Sequence, residues 1–531
     1  MTYKTGKTGS PEADLSRSAT LPETEEASAA AELAEAFTPD VERRSADWDL
    51  RQGPKNYLAL VAAQIASGAL SFAAVWMATR MLGSTGYGGV VAIIAASQAI
   101  GQLAVNWTSA SVSLYGVQEF VQTGHISKPF WTRFWIFLPN VVLVLATSPL
   151  WLPALSSWLK LPPQAYLFVL AHFLVNAIWI HIQQGLQGAK LMRLQGSLLT
   201  FERLLVFLII VACFVSGIAS FLTVALAYIF APMGASAAGL WALRRLILPV
   251  SGVDRDLLRR MLKFSLPLLP ASLVGYMSTN YLDAFFITHY LSSAHLGVYA
   301  VVYLISGTAL QLPLLVGTIL IPLFITLQVD GTDDRARRFM LNGLPLLALI
   351  WGIACSFLAA IGSYAFPQIF GEQFKEIGNL LWPLMAAAAL TGPVLMGYAP
   401  FSHSKSITYI AMLAAIAAAL VNVILNFLLI PRFGLVGCAW ATTAAFAVHL
   451  TVVIVFVHSR LLTAWGWIAL AVLPPLAGAI CASVYSVSFI ALGVTLMLSA
   501  LLALLHRKSV SVGLRMLNNL LPGGSRIRSA A

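Results

Sequence analysis

The chain has 531 residues, of which 59% are hydrophobic and only 10% charged, and its mean hydropathy is +0.82. Those values lie outside the range of soluble globular domains and predict a polytopic, all-α membrane protein. The net charge of +11 does not point to nucleic acid: eleven of the 21 acidic residues fall in residues 1–56, and the basic residues beyond sit between apolar segments, where they read as topological anchors.

Residues 1–56 come first, a tail rich in Ala, Glu, Ser and Thr. Apart from a short helical possibility at 29–37, this composition cannot bury a core and predicts a mostly disordered segment. It has no apolar run of signal length, so the amino end is expected in the cytoplasm.

From Tyr57 onward, fourteen apolar segments follow, each near 20 residues and long enough for about 30 Å of hydrocarbon. Six of them, at 57–80, 85–106, 131–153, 164–186, 199–217 and 220–243, predict a first lobe over 57–243. A basic linker, 244–263, leads to six more at 264–290, 296–327, 340–366, 375–400, 406–430 and 434–459, a second lobe over 264–459. Two additional spans, 465–484 and 487–506, occupy 460–506. The end of the chain, 507–531, places Val510, Leu514, Leu517 and Leu521 at helical spacing beside Arg515, the pattern of a short interfacial helix.

Lys and Arg test this topology, because cytoplasmic loops retain them. With both termini inside, 28 fall on the inward side and four, Arg80, Lys160, Lys375 and Arg432, on the outward side. A missed pair in a tight hairpin leaves that split almost unchanged, so twelve spans stay open as an alternative.

The chain also repeats itself. Thr79 to Leu103 lies over Thr288 to Leu312 without a gap, with seven of 25 positions identical, among them Ser84 with Ser293, Gly88 with Gly297 and Gln102 with Gln311. Arg80 faces His289. The copies begin six spans apart, so the two six-helix lobes are expected to be parallel repeats about an axis along the membrane normal, with a site between them.

Enzyme signatures are absent: there is no GxxxxGK[ST], HExxH or GxSxG in a plausible context, and no cofactor is expected. Cys213, Cys355, Cys438 and Cys481 lie one apiece in separate spans and read as small core residues rather than metal ligands. The remaining evidence is polar groups inside spans, since buried charge is costly and faces a cavity or a partner. Asp283, about 10 Å from the outer end of span 7 at the helical rise, is the ion-coupling candidate, on a stripe with Ser272, Tyr276 and Asn280. An interhelical hydrogen-bond site is the competing reading. Arg80 is either an interfacial anchor or, matched by His289, a cleft residue that pairs with Asp283 or meets an anionic head group. His172, Asn176, Trp179, Gln183 and Gln187 form a polar face along span 4 and are read as cavity-lining, as are Gln102 and Gln311; Asn422 and Asn426 read as helix-to-helix hydrogen bonders.

The string LNFLLIPRFGLVGCAWAT at Leu425 to Thr442 resembles the span 11 to 12 hairpin of polysaccharide transporters, the Wzx-like flippases of the multidrug, oligosaccharidyl-lipid and polysaccharide superfamily. DAFFITHYLSSAHLGVYAV at Asp283 to Val301 and LGSTGYGGV at Leu82 to Val90 resemble the hairpins that open each lobe. The resemblance implies a V-shaped, alternately open transporter of the bacterial inner membrane. Its implied cargo is an undecaprenyl diphosphate oligosaccharide, moved outward for exopolysaccharide or O-antigen synthesis. Membrane lipids, a polymerase and a chain-length regulator are the implied partners. Many relatives carry an Arg soon after span 2, where this chain has LYGVQEF at Leu114 to Phe120, which puts that inward contact in doubt. The rival readings are a small-molecule or drug exporter of the same superfamily, a lipid II flippase, and a membrane glycosyltransferase, the last disfavoured by short outward loops. Membrane potential alone is one expected driving force, with proton or sodium exchange at Asp283 as its rival.

Overall fold

The computed structural model describes residues 39–520 except 267–268, 270–279, 330–332, 406, 408, 461–465 and 486. Met1–Lys55 and Asn56–Ala531 are two separate units, and of the first only the helical backbone from Pro39 is described. Composition did not predict that helix; Pro39 at its first position, followed by Asp40 and Glu42, matches the preferences of a helix start. The rest of the tail, with its helical possibility at 29–37, and Ser272 and Tyr276 lie outside the described residues.

Every regular element among the described residues is helical, and eleven helices are long and apolar enough to cross a membrane. Two are far too long for one crossing. Val61–Ala104 has 44 residues and Tyr409–His458 has 50, about 66 and 75 Å of helix against about 30 Å of hydrocarbon. Each breaks at a glycine of positive φ, Gly83 (φ 64°, ψ −173°) and Gly434 (φ 59°, ψ −138°), a conformation that costs an L side chain energy. Asn422 and Thr442, 20 positions apart on either side of the second break, approach within 3.5 Å, so those two arms run antiparallel. The predicted count of fourteen reaches into residues that are not described, because span 7 begins before its described helix.

In chain order the arms 61–82 and 84–104 are α1 and α2; then come α3 (Ser109–Thr123), α4 (Ser127–Trp158), α5 (Tyr166–Gly188), α6 (Met192–Val215) and α7 (Phe221–Ile247). A linker helix, α8 (Arg255–Ser265), precedes α9 (Asn280–Tyr290) and α10 (Ser293–Val329). A π turn, Phe339–Gly343, opens α11 (Leu344–Phe370), and α12 (Ile377–Pro393) follows. The arms of Tyr409–Arg460 are α13 (409–433) and α14 (435–460); α15 (Leu473–Tyr485), α16 (Ser488–Leu505) and α17 (Arg507–Leu520) are the last three described helices.

Helices α3 to α7 pack on one another and hold α1 and α2 through Thr200 with the Ala63 carbonyl and His172 with Ser97; α9 to α16 form the second group. At the centre of the second group lies the segment Ile377–Ser404, which is mostly buried, whereas half of the residues of α16 are exposed. The run Ala386 to Ala389 explains this: without a hydrophobic drive between helices in lipid, small residues let backbones approach closely. The linker helix α8 is amphipathic. Its Leu257 and Met261 are buried with Val112 of α3, while Arg255, Arg259, Arg260 and Lys263 stay exposed. The helix predicted after residue 507 is present as α17 and packs on the π turn, Gly513 meeting Asn342.

Candidate functional site

Asp283 on α9 is 2% exposed and is the centre of a polar cluster drawn from four helices. Tyr299 Oη of α10 donates to its Oδ2 at 2.7 Å, Asn426 Nδ2 of α13 to its Oδ1 at 2.8 Å, and Thr442 Oγ1 of α14 to its Oδ2 at 3.2 Å. Asn426 also donates to Asn422 Oδ1 at 3.0 Å, and the second carbonyl in the cluster, Asn426 Oδ1, is buried without a partner. The antiparallel α13–α14 hairpin brings two of these donors to one height. The described partners of the carboxylate are all neutral donors, so an ionised Asp283 holds charge that none of them compensates.

The first group contains a buried charge of opposite sign that sequence reasoning missed. Arg133, six residues into α4, is fully buried. Its Nε donates to Thr108 Oγ1 at 3.1 Å, Nη2 to Ser109 Oγ at 2.9 Å and to the Val105 carbonyl at 3.3 Å, and Nη1 to His181 Nδ1 at 2.7 Å. Three of these acceptors, Val105 O, Thr108 Oγ1 and Ser109 Oγ, lie at the break between α2 and α3, where the last carbonyls of α2 carry the negative end of its dipole. Accepting at Nδ1 puts the His181 proton on Nε2, which is buried and has no partner. In the sequence Arg133 counts as an inward anchor; the one signal against that was its place inside an apolar run.

Helices from the two groups meet at one end of the molecule, the hairpin end. Arg80 Nη2 and Trp76 Nε1 of α1 both donate to the Ile369 carbonyl at the end of α11, at 2.6 and 3.1 Å, and Gln373 Oε1 accepts from Ser84 N at 3.0 Å. On the other side, Lys160 Nζ donates to the Leu291 carbonyl at 2.7 Å, Trp158 Nε1 donates to the Phe285 carbonyl at 2.9 Å, and the Trp158 ring stacks on His289 with centroids 4.1 Å apart. Between these sets, α2 and α10 touch backbone to backbone at Gly88 and Gly297.

The residues predicted from sequence are therefore dispersed. Arg80 is exposed and pairs with a carbonyl, not with Asp283. Its repeat partner His289 is exposed and stacked on Trp158. His172 is buried against Ser97 of α2, and Gln187 accepts from Ser113 of α3 at 3.0 Å, so much of the span 4 polar face is a seam against α2 and α3. Trp179 is buried, while Asn176 and Gln183 are half-buried. Gln102 accepts from Asn106 at 3.3 Å and Gln311 is exposed. The Asn280 side chain lies outside the described residues. Asn422 and Asn426 do hydrogen-bond between helices, and they are part of the Asp283 cluster.

Residues 54–328 match the polysaccharide biosynthesis protein family. No curated protein matches the chain in sequence. Among solved structures, the fold is similar to the lipid II flippase MurJ in an inward closed conformation, with a TM-score of 0.64 and 11% identity over 85% of this chain and 99% of that one. It is also similar to the Vibrio cholerae MATE transporter VcmN, TM-score 0.52 and 13% identity over 78% and 98% of the two chains. The MATE multidrug transporter DinF-BH gives 0.54 and 14% over 77% and 95%. At these identities the likeness establishes the fold.

Proposed function

Because this chain belongs to the polysaccharide biosynthesis protein family, we propose that it is a flippase for undecaprenyl diphosphate-linked oligosaccharide repeat units. It works by alternating access in the bacterial inner membrane, supplying exopolysaccharide or O-antigen synthesis. A glycan is too polar to cross hydrocarbon unaided, whereas its polyprenyl tail is already at home there, so the protein need shield only head group and sugars. The observation that carries the transport reading is the meeting of two helix groups at the hairpin end through repeat-related residues. With the basic loops at the cytoplasmic side, that end faces outward, and the molecule is closed to the outside.

Outward movement of a diphosphate is favoured by a negative interior, by about 2.3 kcal/mol per charge per 100 mV. Asp283 joins four helices through neutral described partners, which gives it a structural role and also supports the ion-coupled reading, with a proton or sodium ion taken up there. That same cluster supports the second reading, a cation-coupled exporter of small amphiphiles. Reconstituted vesicles containing a fluorescent lipid-linked oligosaccharide, lipid II or a cationic dye separate the possibilities. Flipping of the oligosaccharide is expected; movement of only one of the other two cargoes would replace this reading.

A further inference from the structure

We infer that the closure of the hairpin end is a two-fold gate set by Gly88 and Gly297, and that a side chain at either position holds the two helix groups apart there. The inference rests on the alternating-access reading above. A Cβ built on Gly88 overlaps the Ser293 carbonyl oxygen and lies 2.6 Å from its carbon; one built on Gly297 overlaps the Ser84 carbonyl oxygen and lies 3.0 Å from its carbon. Each also comes within 3.1 Å of the other glycine's backbone nitrogen. The obstructing atoms are backbone, so no rotamer change relieves the overlap. One helix has to move away from the other.

The contact is its own mirror under exchange of the repeats. Ser84 aligns with Ser293 and Gly88 with Gly297, and each glycine meets the serine of the other copy. Reciprocity of this kind is the mark of an isologous interface about a two-fold axis, which places the pseudo-symmetry axis between α2 and α10 at this height. Flanking it, the end of α11 holds the first hairpin through Arg80, Trp76 and Gln373, and the end of α4 holds the second through Trp158 and Lys160. The latches are equivalent in place and different in chemistry. Among these described contacts the glycine pair is the one shared by both copies, so it is the feature both halves need for closure.

The test uses the full-length protein in lipid vesicles, with the four native cysteines replaced and spin labels at Ala219→Cys and Lys375→Cys, exposed sites in the two helix groups. Gly88→Ala, Gly88→Leu and Gly297→Leu are expected to move the inter-label distance distribution to longer values. Gly307→Ala, where an added Cβ meets nothing within 4 Å, is expected to leave it in place. If the leucine variants do not fold, Gly88→Ala and the pair Arg80→Gln with Lys160→Gln, which removes latch donors without adding bulk, are expected to shift it in the same direction. An unchanged distribution in Gly88→Ala and in the latch variant overturns the inference. The distances are read without cargo, so a failure of the labelled oligosaccharide to flip in the wild-type protein would overturn the proposed function and leave the gate result standing.

Discussion

The hydroxyl of Tyr299 donates to Oδ2 of Asp283 across 2.7 Å, inside a cluster where every described partner of the carboxylate is neutral. A hydrogen bond to an ionised group contributes about 1.5–3 kcal/mol. Tyr299→Phe is therefore expected to weaken the cluster by an amount in that range while leaving the ring packed. Thermal unfolding in detergent measures it, and a wild-type melting temperature would contradict a contribution of this hydrogen bond to the fold.

Replacement of Asp283 itself separates the two driving forces. Asp283→Asn keeps the size of the side chain and removes its charge. Transport is expected to lose its response to an imposed sodium or proton gradient and to keep its response to membrane potential. Vesicle assays with each gradient imposed separately decide this. A variant that still responds fully to the ion gradient would remove Asp283 from coupling.

Arg133 closes the break between α2 and α3 with a planar fork of donors aimed at four acceptors. Lysine is a point charge with three donors and cannot reproduce that fork. Arg133→Lys is expected to leave buried acceptors unpaired and to destabilise the protein by about 1–3 kcal/mol, with Arg133→Met at or above the upper end. Melting temperature in detergent is the readout, and a lysine variant as stable as the wild type would contradict the account of the break.

Gly434 has φ 59°, and a Cβ there meets nothing within 4 Å. The cost of Gly434→Ala is thus conformational alone, about 1–3 kcal/mol for an L residue at positive φ with ψ −138°. A matching loss is expected in thermal stability with transport of the folded fraction unchanged. A larger loss would require a steric contact that this turn does not show.

Glu119 lies on α3, which is not among the eleven described helices long and apolar enough to cross a membrane. Burial raises its carboxyl above the ordinary value, against the opposing effects of the hydrogen bond from Lys128 N and the charges of Lys128 and His125. A raised acid stabilises the fold below its ordinary pKa, and that contribution disappears as pH rises through the raised value. Glu119→Gln is therefore expected to be at least as stable as the wild type at pH 7, with the difference vanishing near pH 4. Paired melts at the two pH values check the sign.

The membrane class, the approximate spans and the repeat were legible in the chain because each is a one-dimensional property. Crossing about 30 Å of hydrocarbon requires a continuous apolar run whatever it packs against. The repeat was legible because the two-fold gate needs the same small residue, Gly88 and Gly297, at the same place in both copies. Asp283 was singled out because a carboxylate in an apolar run needs a partner.

Which partner it has was decided only by the tertiary structure. Arg80, the most prominent cation near that span, is held at the hairpin end by Ile369, whereas Tyr299, Thr442, Asn422 and Asn426 converge on Asp283 from three other helices. Arg133 was counted among the inward anchors and is a fully buried clasp, and the span 4 polar face turns partly into a seam against α2 and α3. Spacing along a helix tells which residues share a face, but the neighbour of that face depends on how helices far apart in sequence pack. That packing, driven by close approach and hydrogen bonding in a medium that offers no other partners, is what separates a polar stripe from a binding site.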